Sequence, residues 1–491
     1  NTLIGSNADV GSNNLTNATA IGANAIVTAS NTIQLGDNTV TLVQTSGTVS
    51  ASAFVGDGSG LTNISLYGSS IDDLSNSLLR DYSSGGSLYI GTPDSSFTNL
   101  TTDTTLFQKN TGVGVNSLQN ISTGGANTAL GYGSLSAVEE NNDNTAVGLY
   151  ALASTTSSGN TAVGANALIA NTTGSANNAI GALSLYDNTT GSGNIAIGNN
   201  SLNKNTSGNY NLAIGNNSLN KNQTGNDNIA IGDYNINKST SNSGQIAIGV
   251  GVLTYAETST TTYTYNIGIG YYALRGTVTN TLSGDRNVAI GGYSQNEVTT
   301  GFANVSVGMN TLAFNSTGER NTAVGDDAMV YNTTGFSNVA MGDNALLYNS
   351  TGDQNVAIGK NALYNSLASN NVAVGTYALS ANISGTVNTA IGNQSLESNT
   401  TGEGNTAVGY NSMSANTNGF TNVALGQNTL QENTTGSGNS AVGYRSGRFN
   451  TTGNNNTFIG NNTAAVSGTT IENSTAIGAN AIVASSNTIQ L

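Results

Sequence analysis

No cysteine, histidine or tryptophan occurs among the 491 residues, and Pro93 is the sole proline. Without imidazole or thiol there is no Ser–His or Cys–His nucleophile and no His/Cys set for zinc. The lack of cysteine also leaves no sign of the redox compartment. Charge is scarce at 8% of residues, against roughly 25% in an ordinary globular chain. Eleven basic and 26 acidic residues give a net charge of −15. That balance argues against nucleic acid, which is gripped by Lys and Arg, and is equally unsuited to anionic membranes. No apolar run approaches the ~20 residues needed to span a bilayer. The start carries no signal-peptide pattern and opens at Asn1 without Met, so the sequence reads as an interior piece of something longer. An Asn/Thr/Gly-rich composition alone would suit a disordered polymer. Strict periodicity of the apolar residues argues otherwise.

That periodicity is the dominant signal. A glycine ends the motif N-x-A-[VI]-G at 22 positions from Gly114 to Gly478, and of the 21 intervals 16 are 17 residues long. Two more are 16, one is 18 and two are 21. The residue before the glycine is always Val, Ile, Leu or Met, as in Val147, Ile197 and Met341. Before it stands a small residue, usually Ala (Ala146, Ala196, Ala390). Four residues after the glycine comes another apolar residue in nearly every copy, such as Leu118, Leu202 and Leu396. The rest is "NTTG" or a relative, read as turn chemistry in which Asn bonds its own backbone and Gly takes positive φ. Helix is disfavoured by the Gly, Asn and Thr load and by the missing 3.6-residue period.

Two short extended segments and two turns per copy, with two apolar side chains pointing inward, predict a β-solenoid stacked at ~4.8 Å. Asn opens the motif in 20 of 22 copies, which predicts a ladder of stacked amides along the axis. The 21 intervals would make a rod on the order of 100 Å long. So thin an interior offsets little of the entropy of ordering each coil, which favours burial of a second face in an oligomer.

These residues resemble a known family. "NSTAIGANAIVASSNTIQL" (Asn473 to Leu491) is similar to the head repeats of trimeric autotransporter adhesins. The 17-residue form is similar to repeats in tail fibres of marine phages and in large bacterial surface proteins. "SASAFVGDGSGLTNIS" (Ser50 to Ser65) resembles a connector of the same fibres. The resemblance covers nearly the whole chain and implies a left-handed parallel β-roll, three of which pack around a common axis. Its own 14-residue spacing occurs once, between Gly22 and Gly36. The family's membrane-anchoring barrel has no counterpart in these residues, so an autotransporter export route gains no support.

A larger period is superimposed. "TAIGANAIVTASNTIQL" at Thr19–Leu35 recurs at Thr475–Leu491 with 15 of 17 positions identical, and "NTLIG" at Asn1 matches "NTFIG" at Asn456. The expectation is a super-repeat of about 455 residues, read directly from that offset. Residues 1–36 would then end one β-roll (matching 456–491), followed by a connector over 37–68. A short helix is expected at 69–82, where Ile71, Leu74 and Leu78 fall at heptad spacing and would meet on a trimer axis. A strand and linker containing Pro93 fill 83–107, and residues 108–491 form the main roll.

Chemistry has little to draw on, and the chain is expected not to be an enzyme. The carboxylate pairs Glu139–Glu140 and Asp326–Asp327 lack the matched partner a glycosidase needs. Asp57, Glu139 and Asp143 are weak calcium candidates in oxygen-rich turns, and a solvated acidic turn is the plainer reading. No other cofactor is expected. The two 21-residue intervals carry Tyr255, Tyr263, Tyr265, Arg275 and Arg286, suited to contacts with sugar or protein; a tolerated surface insertion competes with that. Asn171, Asn188, Asn332, Asn399 and Asn433 lie in sequons and are candidate glycan acceptors, although turn preference alone would place them there.

The fold class expected is therefore all-β: a parallel β-solenoid of 17-residue coils, trimeric, with one short helical connector. The expected function is a structural extracellular fibre, of the adhesin-stalk or tail-fibre type, on a cell surface or virion. Its homotrimers would continue end to end in a filament, with a cell-surface or host glycan or protein as partner. No nucleic acid and no membrane insertion are expected. The alternative is a monomeric solenoid that binds glycan or ice through a regular Thr/Asn face.

Overall fold

The computed structural model describes residues 1–37, 39, 79–80, 87–90, 109–256, 263–276, 282–467 and 470–491. The chain divides into two compact units, residues 1–70 and 71–491. In the first, β1 (Thr2–Ile4), β3 (Thr19–Ile21) and β5 (Ile33–Leu35) form one parallel ladder. Between them β2 (Asp9–Val10) and β4 (Ile26–Val27) form a second.

In the second unit β6 (Leu79–Arg80) runs antiparallel to β7 (Ser87–Ile90), which joins the parallel stack beside β8 (Thr111–Val113). Each coil then contributes one three-residue strand, paired in register with the coils before and after, as far as β28 (Thr457–Ile459); the second extended segment expected in each copy is a run of turns instead. Ala146, for instance, pairs with Ala129 and Ala162. The stack closes with β29 (Ala464–Ala465), β30 (Thr475–Ile477), β31 (Ile482–Val483) and β32 (Ile489–Gln490). Its pairings β28–β30–β32 and β29–β31 repeat those of the first five strands. The parallel β-solenoid of 17-residue coils read from the sequence is thus the fold. No helix occurs among the described residues. Leu79 and Arg80, inside the expected helix, are strand instead; Ile71, Leu74 and Leu78 lie outside the described residues.

The strand orientation corrects one expectation. In Ile195–Ile197 and its equivalents the middle residue is buried and its two neighbours are not. Alternation along a strand allows only one of those two sets to face inward. The Ala column faces the interior, and the Val/Ile/Leu column before the glycine faces solvent. The core is that line of alanines together with the leucines four residues past each glycine, all fully buried.

The local backbone explains why leucine is chosen there. Leu202 has φ 50° and Leu346 has φ 53°, the left-handed region that β-branched residues avoid. Ile236, at φ 48°, is the exception. The motif glycine is required twice over: Gly198 has φ 134°, and a Cβ on it would lie 2.5 Å from the Gly215 carbonyl oxygen.

Asparagines line the interior in two ladders. Asn194 Nδ2 donates to Gly208 O at 2.8 Å, while its Oδ1 accepts from Asn211 N and Nδ2, each at 3.0 Å. At the opposite turn Asn188 Nδ2 donates to Gly191 O and to Asn171 Oδ1, at 2.9 and 2.7 Å. The turn asparagine does bond its own backbone, three residues on. The turn glycine serves another purpose than expected: Gly174 and Gly191 do not take positive φ, and a Cβ on either would strike the neighbouring coil's carbonyl. Left-handed φ falls two residues later, at Ala176 and Gly193.

Candidate functional site

The outward strand face is an extended apolar feature of the described residues. All 22 residues preceding the motif glycines are Val, Ile, Leu or Met, and none is buried. Leu130 is 48% exposed, Ile180 42% and Ile477 39%. From Ile195 to Ile269 nearly every outward strand position is Ile. The stripe is continuous from coil to coil, and extended exposed apolar surface of this kind marks interaction sites. Periodicity located these residues in the sequence, but only the strand orientation reveals that they point outward.

The candidate ligand residues separate into three places. Arg275 lies over the Tyr272 ring at 4.2 Å and the Tyr255 ring at 5.7 Å. Tyr271 and Tyr272 touch at 4.0 Å between centroids, and both pack edge-on to Tyr293. A hydrogen bond with Tyr272 holds the Tyr271 phenol above its usual pKa, burial adding to the effect. Tyr263 and Tyr265 stack separately at 5.6 Å. Arg286 belongs elsewhere, over Phe302 and beside Asp285.

Sequence reasoning missed the adjoining aromatics. Phe314, Tyr331 and Tyr348 occupy the same position in three successive coils and stack almost parallel, at 5.5 and 5.2 Å. Tyr364 closes the row edge-on. Beneath them Ala313, Val330 and Leu347 form a small apolar floor. A groove of ≈ 430 Å³ runs along this row, lined also by Tyr293, Asn310 and Asp327. The available signal was three consecutive copies with an apolar–aromatic pair, a combination that no other copy carries at those two positions.

Glu139 and Asp143 sit exposed at a turn. Among the described residues no three acidic side chains gather as for a metal, and Asp57 lies outside them. Asp326 and Asp327 belong to one turn, where Asp327 accepts a hydrogen bond from Asn310 at 2.9 Å.

The sequon reading meets a physical obstacle. Asn171, Asn188, Asn332, Asn399 and Asn433 are all fully buried. In each, the Nδ2 that would carry a glycan donates inside the coil. The folded solenoid has no room for a sugar there, so turn structure accounts for these residues. The turn threonines are also engaged: Thr172, Thr189, Thr400 and Thr434 donate their hydroxyls to carbonyls one coil on. The proton of each of these hydroxyls is thus held by the neighbouring coil.

No helix among the described residues is long and apolar enough to cross a membrane. Compared with known proteins, the chain matches no family model and no curated protein.

Proposed function

We propose that the chain is a segment of an extracellular structural fibre whose β-solenoids associate side by side, three to a rod, through the outward strand face. Its role is reach and surface attachment. One observation carries this reading: the unbroken apolar column before every motif glycine lies in the open on a single chain. A specific interface buries about 1,600 Å² in total, and each chain of a trimer takes part in two, so the strand face would form the apolar part of each contact. A straight stripe repeating once per coil is matched in spacing by another copy of itself. The resemblance to trimeric heads supplies the number three. Scarce charge, no cysteine and hydrogen bonds in ladders suit a rod exposed to salt and proteases. The shared fold of residues 1–36 and 456–491 supports a larger tandem repeat.

Sedimentation equilibrium of the full chain tests the assembly. Three times the 49.4 kDa chain mass is expected, and a monomer across the accessible concentrations would overturn the proposal. Ile197→Asp, Ile214→Asp and Ile231→Asp combined should yield monomers with an unchanged β-rich circular dichroism spectrum. Each aspartate replaces an outward residue and leaves the Ala–Leu core intact.

A further inference from the structure

We infer that the groove beside Phe314 is a receptor for an arginine side chain presented by a partner polypeptide. The argument starts from a second place in the same molecule. Glu432 and Phe449 stand at equivalent positions of adjacent coils, six residues past Gly426 and Gly443. Arg448 fills the space between them, with Nε 3.4 Å from Glu432 Oε1 and Cζ 5.3 Å from the Phe449 ring centre. A planar guanidinium suits that setting because it can lie on an aromatic ring while pairing with a carboxylate.

Glu297 and Phe314 occupy the same two positions, six residues past Gly291 and Gly308. The backbone around them is the same: Glu297 N donates to Ala313 O at 2.9 Å, as Glu432 N donates to Arg448 O at 3.1 Å. At the place of Arg448 stands Ala313. The carboxylate and the ring are thus present and the guanidinium between them is not, which leaves part of the groove described above. Arg320, over Phe302 and paired with Glu319, repeats the same three-group association.

Three acceptors along the groove add to this setting. Asn296 Oδ1 is buried with no hydrogen-bond partner. Asp327 adds a second carboxylate, and among the described residues neither it nor Glu297 has a cationic partner. Phe314, at the end of the stacked row and 40% exposed, offers its outer ring face, and cations are attracted to ring faces. With a net charge of −15 the chain also draws basic partners at long range. This site is distinct from the strand face, which runs through every coil, whereas the groove is confined to a few.

Isothermal titration of the full chain with N-acetyl-argininamide tests the inference, once the oligomer mass has been measured separately, so that failure here does not bear on assembly. One site per chain is expected at ~150 mM salt, where long-range attraction is screened. The citrulline analogue, uncharged and of similar shape, should not bind. Glu297→Gln should weaken binding at least about tenfold, by loss of a charge-assisted hydrogen bond. Ala313→Arg should abolish it, by filling the space from within. Arg448→Ala should add a second site between Glu432 and Phe449. Citrulline or the lysine analogue binding as well as arginine would overturn the assignment. So would affinity indifferent to both Glu297→Gln and Ala313→Arg, or no binding at all.

Discussion

Phe458 occupies the space that Gly447 leaves in the core. Gly447 stands where nearly all other coils carry Leu or Met, and Phe458, one coil on, stands where they carry Ala. A Cβ on Gly447 would lie 2.6 Å from Phe458 Cδ2. The pair is one volume shared differently between two coils. Val252 and Gly268 make a similar exchange, since a Cβ on Gly268 would collide with Val252.

Each half of the Gly447–Phe458 exchange should therefore be damaging alone and tolerated together. Phe458→Ala removes a fully buried ring, at a cost of about 3–5 kcal/mol. Gly447→Leu drives a side chain into occupied space and also destabilises, by about 1–3 kcal/mol. Urea denaturation of the double variant should recover most of the loss. Additive losses would show that the two sites do not share one volume.

Gln295 and Ser306 form the polar counterpart. Gln295 replaces the core leucine and Ser306 the core alanine, both fully buried, with Gln295 Nε2 donating to Ser306 Oγ at 2.9 Å. Gln295 Oε1 has no partner. The apolar core divides here, one cluster ending at Val298 and the next beginning at Leu312. Joint replacement Gln295→Leu with Ser306→Ala should stabilise by about 1–3 kcal/mol, because it removes an unsatisfied buried acceptor. A thermal melt lowered by the double change would contradict that.

Interior asparagines should tolerate almost nothing. Asn194→Ala strips the bonds to Gly208 O and from Asn211 N; Gly208 O keeps its bond from Asn205 Nδ2, and the Asn211 amide is left buried without a partner. Destabilisation of about 1–3 kcal/mol is expected for the one orphaned buried donor. Amide exchange at Asn211 should accelerate well beyond that at distant coils, whereas uniform acceleration would mean global rather than local loss.

One surface pair gives a titration. Lys360 Nζ lies 2.9 Å from Asp343 Oδ2, and that hydrogen bond, with the attraction of the carboxylate, raises the lysine pKa above its ordinary 10.5. The raised value means that the pair's contribution is complete below the unfolded lysine pKa. It disappears as pH climbs through the folded one. NMR titration of the Lys360 ammonium should show its midpoint fall in Asp343→Asn; an unmoved midpoint would exclude the pair as the cause.

The architecture was legible because each coil repeats the same demands: a small residue, a glycine, a leucine and two asparagines at fixed spacing. Orientation was not, since Ala196 and Ile197 are both apolar and period alone cannot say which faces in. The decisive clue was steric. The position of Leu202 admits almost no Val or Ile because its backbone is left-handed, while Ile197 lies in a strand, where β-branching is favoured. The buried state of Asn188 was likewise hidden, because a sequon and an interior amide ladder ask for the same Asn and Thr. The groove at Phe314 depends on residues 17 apart becoming neighbours, and single copies read one at a time do not display a row.

Parallel, in-register stacking also sets how the stack responds to tension. Hydrogen bonds between coils lie along the long axis, so a pull on the two ends loads them one layer at a time and peels rather than shears. Each layer set free would lengthen the molecule by about 50 Å, the difference between 17 extended residues and one stacking step. A single strand of coils would thus pay out like line from a reel, and resistance to force must come from whatever clasps its sides.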